Sequence, residues 1–280
     1  MSECNRNFFY YNNNLLPTEQ FSDLIFNNGQ FIYDVIRIVK GVPLFIDQYL
    51  SRLINTASLA NMTLWISESE ILNRINTLIT VNDVVEDSLK LVFGFTNSES
   101  EAETKIFLAY FMKNNAPTNE QFLIGVNTIS QFAKRNNPHA KVINIALRFN
   151  ANLLINKTGA YETILVNENN VITEGSRSNV FFIKQNGVYT TSMDYVLPGV
   201  TRNNTIQLCK ENGIPVYETI IDYSEAQTFE AMFITGTSRK ILPVYLYDNY
   251  TFNVNNSLLR KLMHLYNLKI ENYINAISNS

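Results

Sequence analysis

Only two of the 280 residues are cysteine, Cys4 and Cys209, and they form neither a CxxC pair nor a ligand cluster. That usage fits a reducing compartment. Histidine is equally scarce: His139 and His264 are too few for a His-built metal site and are read as structural or surface residues. No run of about 18 apolar residues occurs, so no helix is expected to span a membrane. The opening, "MSECNRNFFYYNNN", has no cationic segment followed by an apolar stretch, so it does not read as a secretory signal. An excess of one charge is missing too: 22 Lys and Arg face 25 Asp and Glu, with no strong block of either. A nucleic-acid partner would call for a basic face. These absences leave a soluble, cytoplasmic protein with no nucleic-acid and no membrane partner as the expectation.

What the chain does have is enough apolar material for a real core. It is 46% hydrophobic and 17% charged, ordinary values for a globular protein. At this length no disulfide or metal staple is needed. No repeat or low-complexity tract appears, although asparagine is frequent.

Residues 31–38, "FIYDVIRI", are rich in β-formers and read as a strand. "GVP" turns the chain and "LFI" reads as a short return strand. Asp47 is placed to cap the next helix, in which Leu50, Leu53, Ile54 and Leu59 recur at helical spacing. A second helix starts near Ser69 and Glu70. "SLKLVFGF" and "TKIFLAYFM" read as two strands of one sheet. Lys113 to Gln121 is polar, carries Pro117 and lacks periodicity, which suits a linker. The expected organisation is a small N-terminal α/β domain over 1–114, a linker over 115–120 and a larger C-terminal domain over 121–280.

The second half is expected to open with a strand, "FLIGVNT". After Lys141 comes a helix, "NIALRFNANLLINKTG", with Gly159 suited to its C-terminal turn. Two hairpins follow, then a Pro-Gly turn into a helix stopping at Gly213, further strands, and a C-terminal helix over about 256–275.

Three loops in this half share a composition: "TEGSRSN" at 173–179, "LPGVTR" at 197–202 and "TGTS" at 235–238. In the second, Gly199 lets the backbone approach a ligand. The helix it opens presents free N–H groups and a positive dipole end, which suits a phosphate. "TGTS" offers hydroxyls and amides in a tight turn. Taken singly, each loop reads as a turn or helix cap, where Gly, Ser and Thr are common. Lys141, before the apolar "VINIALRF", reads alone as a surface lysine. Burial would lower its pKa and make it a nucleophile for carbonyls. Together these features change the reading. An amine, a carboxylate at the strand end (Glu174) and two phosphate-type loops are what pyridoxal 5'-phosphate requires for its aldehyde, ring nitrogen and phosphate.

From "FIYDVIRI" to "ILPV" the sequence resembles the fold-type IV pyridoxal-phosphate enzymes, the class IV aminotransferases. That family holds branched-chain aminotransferases, D-amino-acid aminotransferases and 4-amino-4-deoxychorismate lyases. The resemblance covers roughly Phe31 to Val244. It rests on "KVIN", "GAYETILV", "VITEGSRSNVF", "LPGVTR" and "FITGTSRKILPV", in family order and spacing, and on "GVPLFIDQYLSRL" in the first half. It implies a two-domain α/β (α+β) fold and a homodimer acting on an amino acid and a 2-keto acid. Lys141 would form the Schiff base with the cofactor and shuttle the proton. Glu174 would bind the ring nitrogen, and Leu197 would pack on the ring face. Arg52, Val200, Thr201 and Thr237 would hold the phosphate. Tyr161 would bond near the phenolic oxygen. Tyr33 would face the substrate, and the amides of Thr237 and Ser238 could receive its carboxylate.

The departures are equally specific. D-amino-acid aminotransferases carry a carboxylate-trapping arginine where this chain has Phe93, Gly94 and Phe95. Arg239 and Lys240 stand where relatives often have small or acidic residues, Arg177 interrupts a run of small ones, and the N-terminus lacks the family's opening strand motif. Arg239 is a candidate replacement anchor, because a guanidinium grips a carboxylate with two bonds. The expected activity is a pyridoxal-phosphate-dependent amino transfer. The alternatives are pyruvate elimination from aminodeoxychorismate, a non-catalytic relative, and a plain phosphate-ester binder.

Overall fold

The computed structural model describes residues 3–27, 29–96, 104–113, 116–135 and 137–278. The chain divides into two compact units. The first takes Met1–Asn115, Ala140–Ile143 and Asn272–Ser280; the second takes Ala116–His139 and Asn144–Glu271. Lys141 and the chain's last residues thus group with the first unit, whereas the sequence-based division put everything after residue 120 in the larger domain.

The first unit is built on a six-stranded sheet. Its strands are β1 (Cys4–Tyr11), β2 (Asn14–Pro17), β3 (Gln30–Val39), β4 (Val42–Pro43), β5 (Glu86–Thr96) and β6 (Thr104–Met112). They lie in the order β2-β1-β6-β5-β3-β4. The long central strands are the two β-branched and aromatic runs legible in the sequence, and β5 is buried at eight consecutive positions. Such a strand is covered on both faces. On one face lie Phe31, Tyr33, Val92, Ile106, Leu108 and Tyr110, packed with Phe9 and Cys4. The other face receives α1 (Ile46–Leu59), which buries Ile46, Tyr49, Leu50, Leu53 and Ala57 at helical spacing.

Several local expectations change in the first unit. Leu44 and Phe45 do not extend a return strand; Phe45 adopts a left-handed backbone (φ 51) and starts α1 with no side-chain cap. Asp47 lies in the first turn, where it meets the positive helix end without capping it. The second helix, α2 (Glu68–Val81), begins ahead of Ser69, because the Ser67 hydroxyl accepts from the Glu70 amide. The opening residues form the β1–β2 hairpin and pair with β6.

The second unit begins with α3 (Asn119–Ile124), so Phe122–Ile124 are helical where a strand was expected. Thr118 and Gln121 make a reciprocal capping box that nucleates this turn, and Gly125 (φ 80) ends it. Asn119–Gln121 of the expected linker are therefore helical, and Asn114 and Asn115 lie outside the described residues. The strand follows as β7 (Val126–Phe132). Then come α4 (Ile145–Thr158), β8 (Glu162–Val166), β9 (Ile172–Gly175), β10 (Asn179–Lys184), β11 (Gly187–Thr191) and α5 (Val200–Glu211). Last are β12 (Val216–Thr219), β13 (Ala231–Gly236), β14 (Lys240–Tyr247), β15 (Tyr250–Thr251) and α6 (Ser257–Ser278). Asn144 caps α4 through the Leu147 amide, and Gly159 closes it at φ 71. Nine described strands form one sheet, ordered β12-β11-β10-β13-β14-β7-β8-β9, with β15 on β14. Ile164, Val166, Val180, Phe182, Met232, Ile234 and Val244 fill its core. Among the described residues no helix is long and apolar enough to cross a membrane.

Candidate active site

Lys141 is fixed by backbone pairing. Val142 bridges to Ile32 in antiparallel fashion. The Tyr33 N–H donates to the Lys141 carbonyl at 3.0 Å, and the Ile143 N–H donates to the Phe31 carbonyl at 2.9 Å. Residues 140–143 thus extend the sheet along β3, and the register puts Lys141 beside Tyr33. Its Nζ lies 3.7 Å from Asp34 Oδ1 and 5.3 Å from the centre of the Tyr33 ring, and its side chain is only 13% exposed. The amine is therefore no surface lysine.

Asp34 is the residue the sequence reading missed. It is 1% exposed and accepts from Arg52 Nε at 2.9 Å and Nη2 at 2.5 Å. Burial opposes the charge on Arg52, and the Asp34 carboxylate overrides it, holding the guanidinium above its ordinary pKa. The signal lay in "FIYDVIRI": an acid at the centre of an apolar strand needs a buried counter-charge.

In the second unit Glu174 is the penultimate residue of β9, 2% exposed. Its Oε2 accepts from the Leu197 N–H at 3.1 Å and lies 3.5 Å from Asn179 Nδ2. Asn179 Nδ2 also donates to the Leu197 carbonyl at 3.0 Å. Glu174 is thus tied to Leu197, the residue expected over the ring face. Arg135 Nε sits 2.8 Å from Glu174 Oε1, an ion pair by distance rather than an aligned hydrogen bond. Arg135 was also missed: it stands 39 positions from its partner in an irregular stretch, so no local periodicity marks it.

Val200 and Thr201 open α5, 4% and 3% exposed, and no acid occupies its first turn. The N–H groups of a first helical turn lack intrahelical partners, and the dipole end is positive. Gly199 precedes them because a Cβ there would meet Asn179 Oδ1 at 2.1 Å. Thr237 and Ser238 lie in the turn between the paired strands β13 and β14.

Arg239 follows in that turn and is drawn inward. Its Nη2 is 3.3 Å from Oε2 of the fully buried Glu162, and its Nη1 donates to the Arg177 carbonyl at 3.3 Å. The guanidinium stands 5.3 Å from the Tyr161 ring centre. Glu162 also accepts from the hydroxyls of Ser176 (2.6 Å) and Ser178 (3.2 Å), which ties the "TEGSRSN" loop to the same carboxylate. Burial raises the Tyr161 phenol pKa and Arg239 opposes the rise. Arg177 itself reaches Asn152 at the surface. On β5 a Cβ at Gly94 would meet Phe31 Cδ1 at 2.2 Å, so the Phe31 ring lies directly against this glycine.

The second unit offers a buried carboxylate and a helix start free of acids, and the first a shielded amine; pyridoxal phosphate calls for groups of these three kinds. Comparison with known proteins agrees with that chemistry. The family model for amino-transferase class IV matches residues 32–247, and the chain belongs to that family. It is 29% identical over 230 residues to the D-alanine aminotransferase of Bacillus licheniformis, covering 80% of this chain and 81% of that protein. In fold it is similar to the branched-chain amino acid aminotransferase of Thermobaculum terrenum, solved in its PLP form: TM-score 0.83, 18% identity, 97% and 96% covered. A Legionella pneumophila protein provisionally assigned as 4-amino-4-deoxychorismate lyase shares the fold too, with TM-score 0.79, 24% identity and 90% and 97% covered.

Proposed function

We propose that this protein moves an amino group between an amino acid and a 2-keto acid with pyridoxal 5'-phosphate held through Lys141. The observation that carries the reading is the Lys141 amine, mostly shielded from water, beside a buried carboxylate and an aromatic ring. The cofactor, when bound, supplies an electron sink for the bond broken at the substrate's α-carbon.

The chain's own residues do the rest. Lys141 would hold the cofactor at its aldehyde and would carry the proton to and from the reacting carbon. Asp34 holds Lys141 Nζ in place while also binding Arg52. Glu174 would bind the ring nitrogen, and Arg135 pairs with Glu174 at 2.8 Å. Leu197 would cover the ring face, and Tyr161 would bond near the phenolic oxygen. The Val200 N–H, the Thr201 and Thr237 hydroxyls and Arg52 take the phosphate. Tyr33 faces the substrate, and the Thr237 and Ser238 amides receive its carboxylate. Arg239, already engaged by Glu162 and the Arg177 carbonyl, fits a role in steadying Tyr161 better than one in gripping substrate.

A spectral screen of the loaded protein with D- and L-amino acids tests the reading. Amino acids that are substrates bleach the bound-cofactor band, and a keto acid restores it; no bleaching with any amino acid overturns it. Pyruvate elimination is the second reading, favoured by the Legionella neighbour, and 4-aminobenzoate formation without need of a keto acid would select it. We further propose a cytoplasmic homodimer. Cys4 and Cys209 are buried and form no disulfide, which suits a reducing compartment. Sedimentation at twice the mass of one 32.1 kDa chain would support the dimer.

A further inference from the structure

Glu162 is fully buried on β8, and three stretches of the second unit converge on its carboxylate. Its own stretch brings Tyr161, the residue immediately before it. The turn after β9 brings two hydroxyls: Ser176 donates to Oε1 at 2.6 Å and Ser178 to Oε2 at 3.2 Å. That turn starts at the residue after Glu174, and it is so tight that a Cβ on Gly175 would meet Ser178 Oγ at 2.0 Å. The turn between β13 and β14 brings Arg239, whose Nη2 lies 3.3 Å from Glu162 Oε2. Among the described residues, Arg239 is the cation that pairs with Glu162.

Arg239 works on different segments with its two ends. Nη2 faces Glu162, and Nη1 donates to the Arg177 carbonyl at 3.3 Å. Its backbone N–H donates to the Gly236 carbonyl at 3.1 Å and closes the turn that carries Thr237 and Ser238. The side chain folds back along this turn: a Cβ on Gly236 would lie 3.6 Å from Arg239 Cδ and 3.5 Å from the Arg177 carbonyl oxygen. Asn179 on β10 pairs with Thr235 on β13, so the two turns are neighbours at one end of the sheet. Arg135 holds the first turn from another direction, donating from Nη2 to the Ser176 carbonyl at 3.4 Å. Hydroxyls alone would leave the charge of a buried carboxylate uncompensated. A guanidinium supplies the opposite charge, and its planar fork serves two acceptors at once.

We propose that Glu162 and Arg239 form a clasp that fixes three segments of the second unit relative to one another, and that Arg239 is thereby a positioning residue for cofactor retention. Each segment carries a group read above as holding the cofactor: Tyr161 for the phenolic oxygen, Glu174 for the ring nitrogen and Thr237 for the phosphate. Three contacts on one rigid ligand bind tightly when their spacing is set beforehand, because ordering a loose segment at the moment of binding consumes affinity. Arg239 is also one of the positions at which the sequence departs from the family it resembles, so the clasp belongs to this chain. The proposal rests on the reading above in taking those three groups as cofactor contacts.

The test titrates apoprotein with pyridoxal phosphate for the parent, Arg239→Met, Arg239→Lys, Glu162→Gln and the double variant Arg239→Met with Glu162→Gln. Each of Arg239→Met and Glu162→Gln is expected to weaken cofactor affinity roughly tenfold. The double variant should also lose about tenfold rather than about a hundredfold, because one clasp is broken once. Arg239→Lys should fall between parent and Arg239→Met, since an ammonium keeps the charge and loses the fork. Unchanged affinity in Arg239→Met, or losses that add in the double variant, overturns the proposal. A merely structural role would lower the urea midpoint and leave the affinity in place. Hydrogen exchange of the apoprotein reads the clasp without cofactor: Arg239→Met should speed exchange in both turns, 175–178 and 236–239. Faster exchange confined to 236–239 overturns the proposal. A parent that binds the cofactor and shows all these losses in its variants, yet transfers no amino group, would sink the functional reading alone.

Discussion

Two lysines of the first unit lie 5.3 Å from the centre of the same tyrosine ring, and their surroundings differ. Lys90, on β5, is closed in: aromatic rings surround it, Glu3 meets its nitrogen at 2.7 Å, and its side chain is 2% exposed. Lys141 is held by the pairing of its backbone with β3, and its side chain is 13% exposed. Its carboxylate neighbour, Asp34, stands 3.7 Å away and is shared with a bidentate Arg52. A buried ammonium at 2.7 Å from its carboxylate is locked in place, whereas Lys141 shares its carboxylate neighbour with Arg52. Position in the sheet makes the difference: Lys90 is central, and Lys141 arrives on an added edge segment.

The comparison can be broken from the Lys141 side first. Lys141→Ala should reduce amino transfer by roughly 10³-fold or more, measured as kcat/KM. The same change at Lys90 should instead appear in stability. Asp34→Asn should leave the buried Arg52 without its counter-charge. The expected loss is about 3 kcal/mol of unfolding free energy, read by urea denaturation. An unchanged midpoint would mean that Arg52 finds another anion.

Smaller effects sharpen the account on the second unit. Glu174→Gln removes the charge facing the ring nitrogen and should lower kcat on the order of 10²-fold. Because the Leu197 N–H bond has an acceptor in either residue, circular dichroism should stay at the parent's level. Gly199→Ala forces Asn179 aside and should weaken cofactor affinity about tenfold, read by titrating apoprotein with pyridoxal phosphate, with roughly 1 kcal/mol lost in stability.

Much of this was legible in the chain itself. The long strands β3, β5 and β6 are written in β-branched and aromatic runs, α4 in its Asn144 cap and Gly159 stop, and the phosphate-type loops in Gly, Ser and Thr. The groups of the candidate site that were missed are counter-charges. Asp34 and Arg135 are tied to partners distant in sequence, and no local period encodes such a pair. The misplaced boundaries have local causes: a left-handed Phe45 replaced a side-chain cap, and the Thr118–Gln121 box turned an apolar run into helix. Arg239 reads as a candidate substrate anchor from its position alone, and its 3.3 Å approach to the buried Glu162 has no local signal in the sequence.

Borohydride reduction of the loaded protein, followed by peptide mapping, separates the two lysines most directly. The account predicts one stable pyridoxyl adduct, on the peptide containing Lys141, with the Lys90 peptide unmodified. An adduct on Lys90, or none on Lys141 at saturating cofactor, would contradict it.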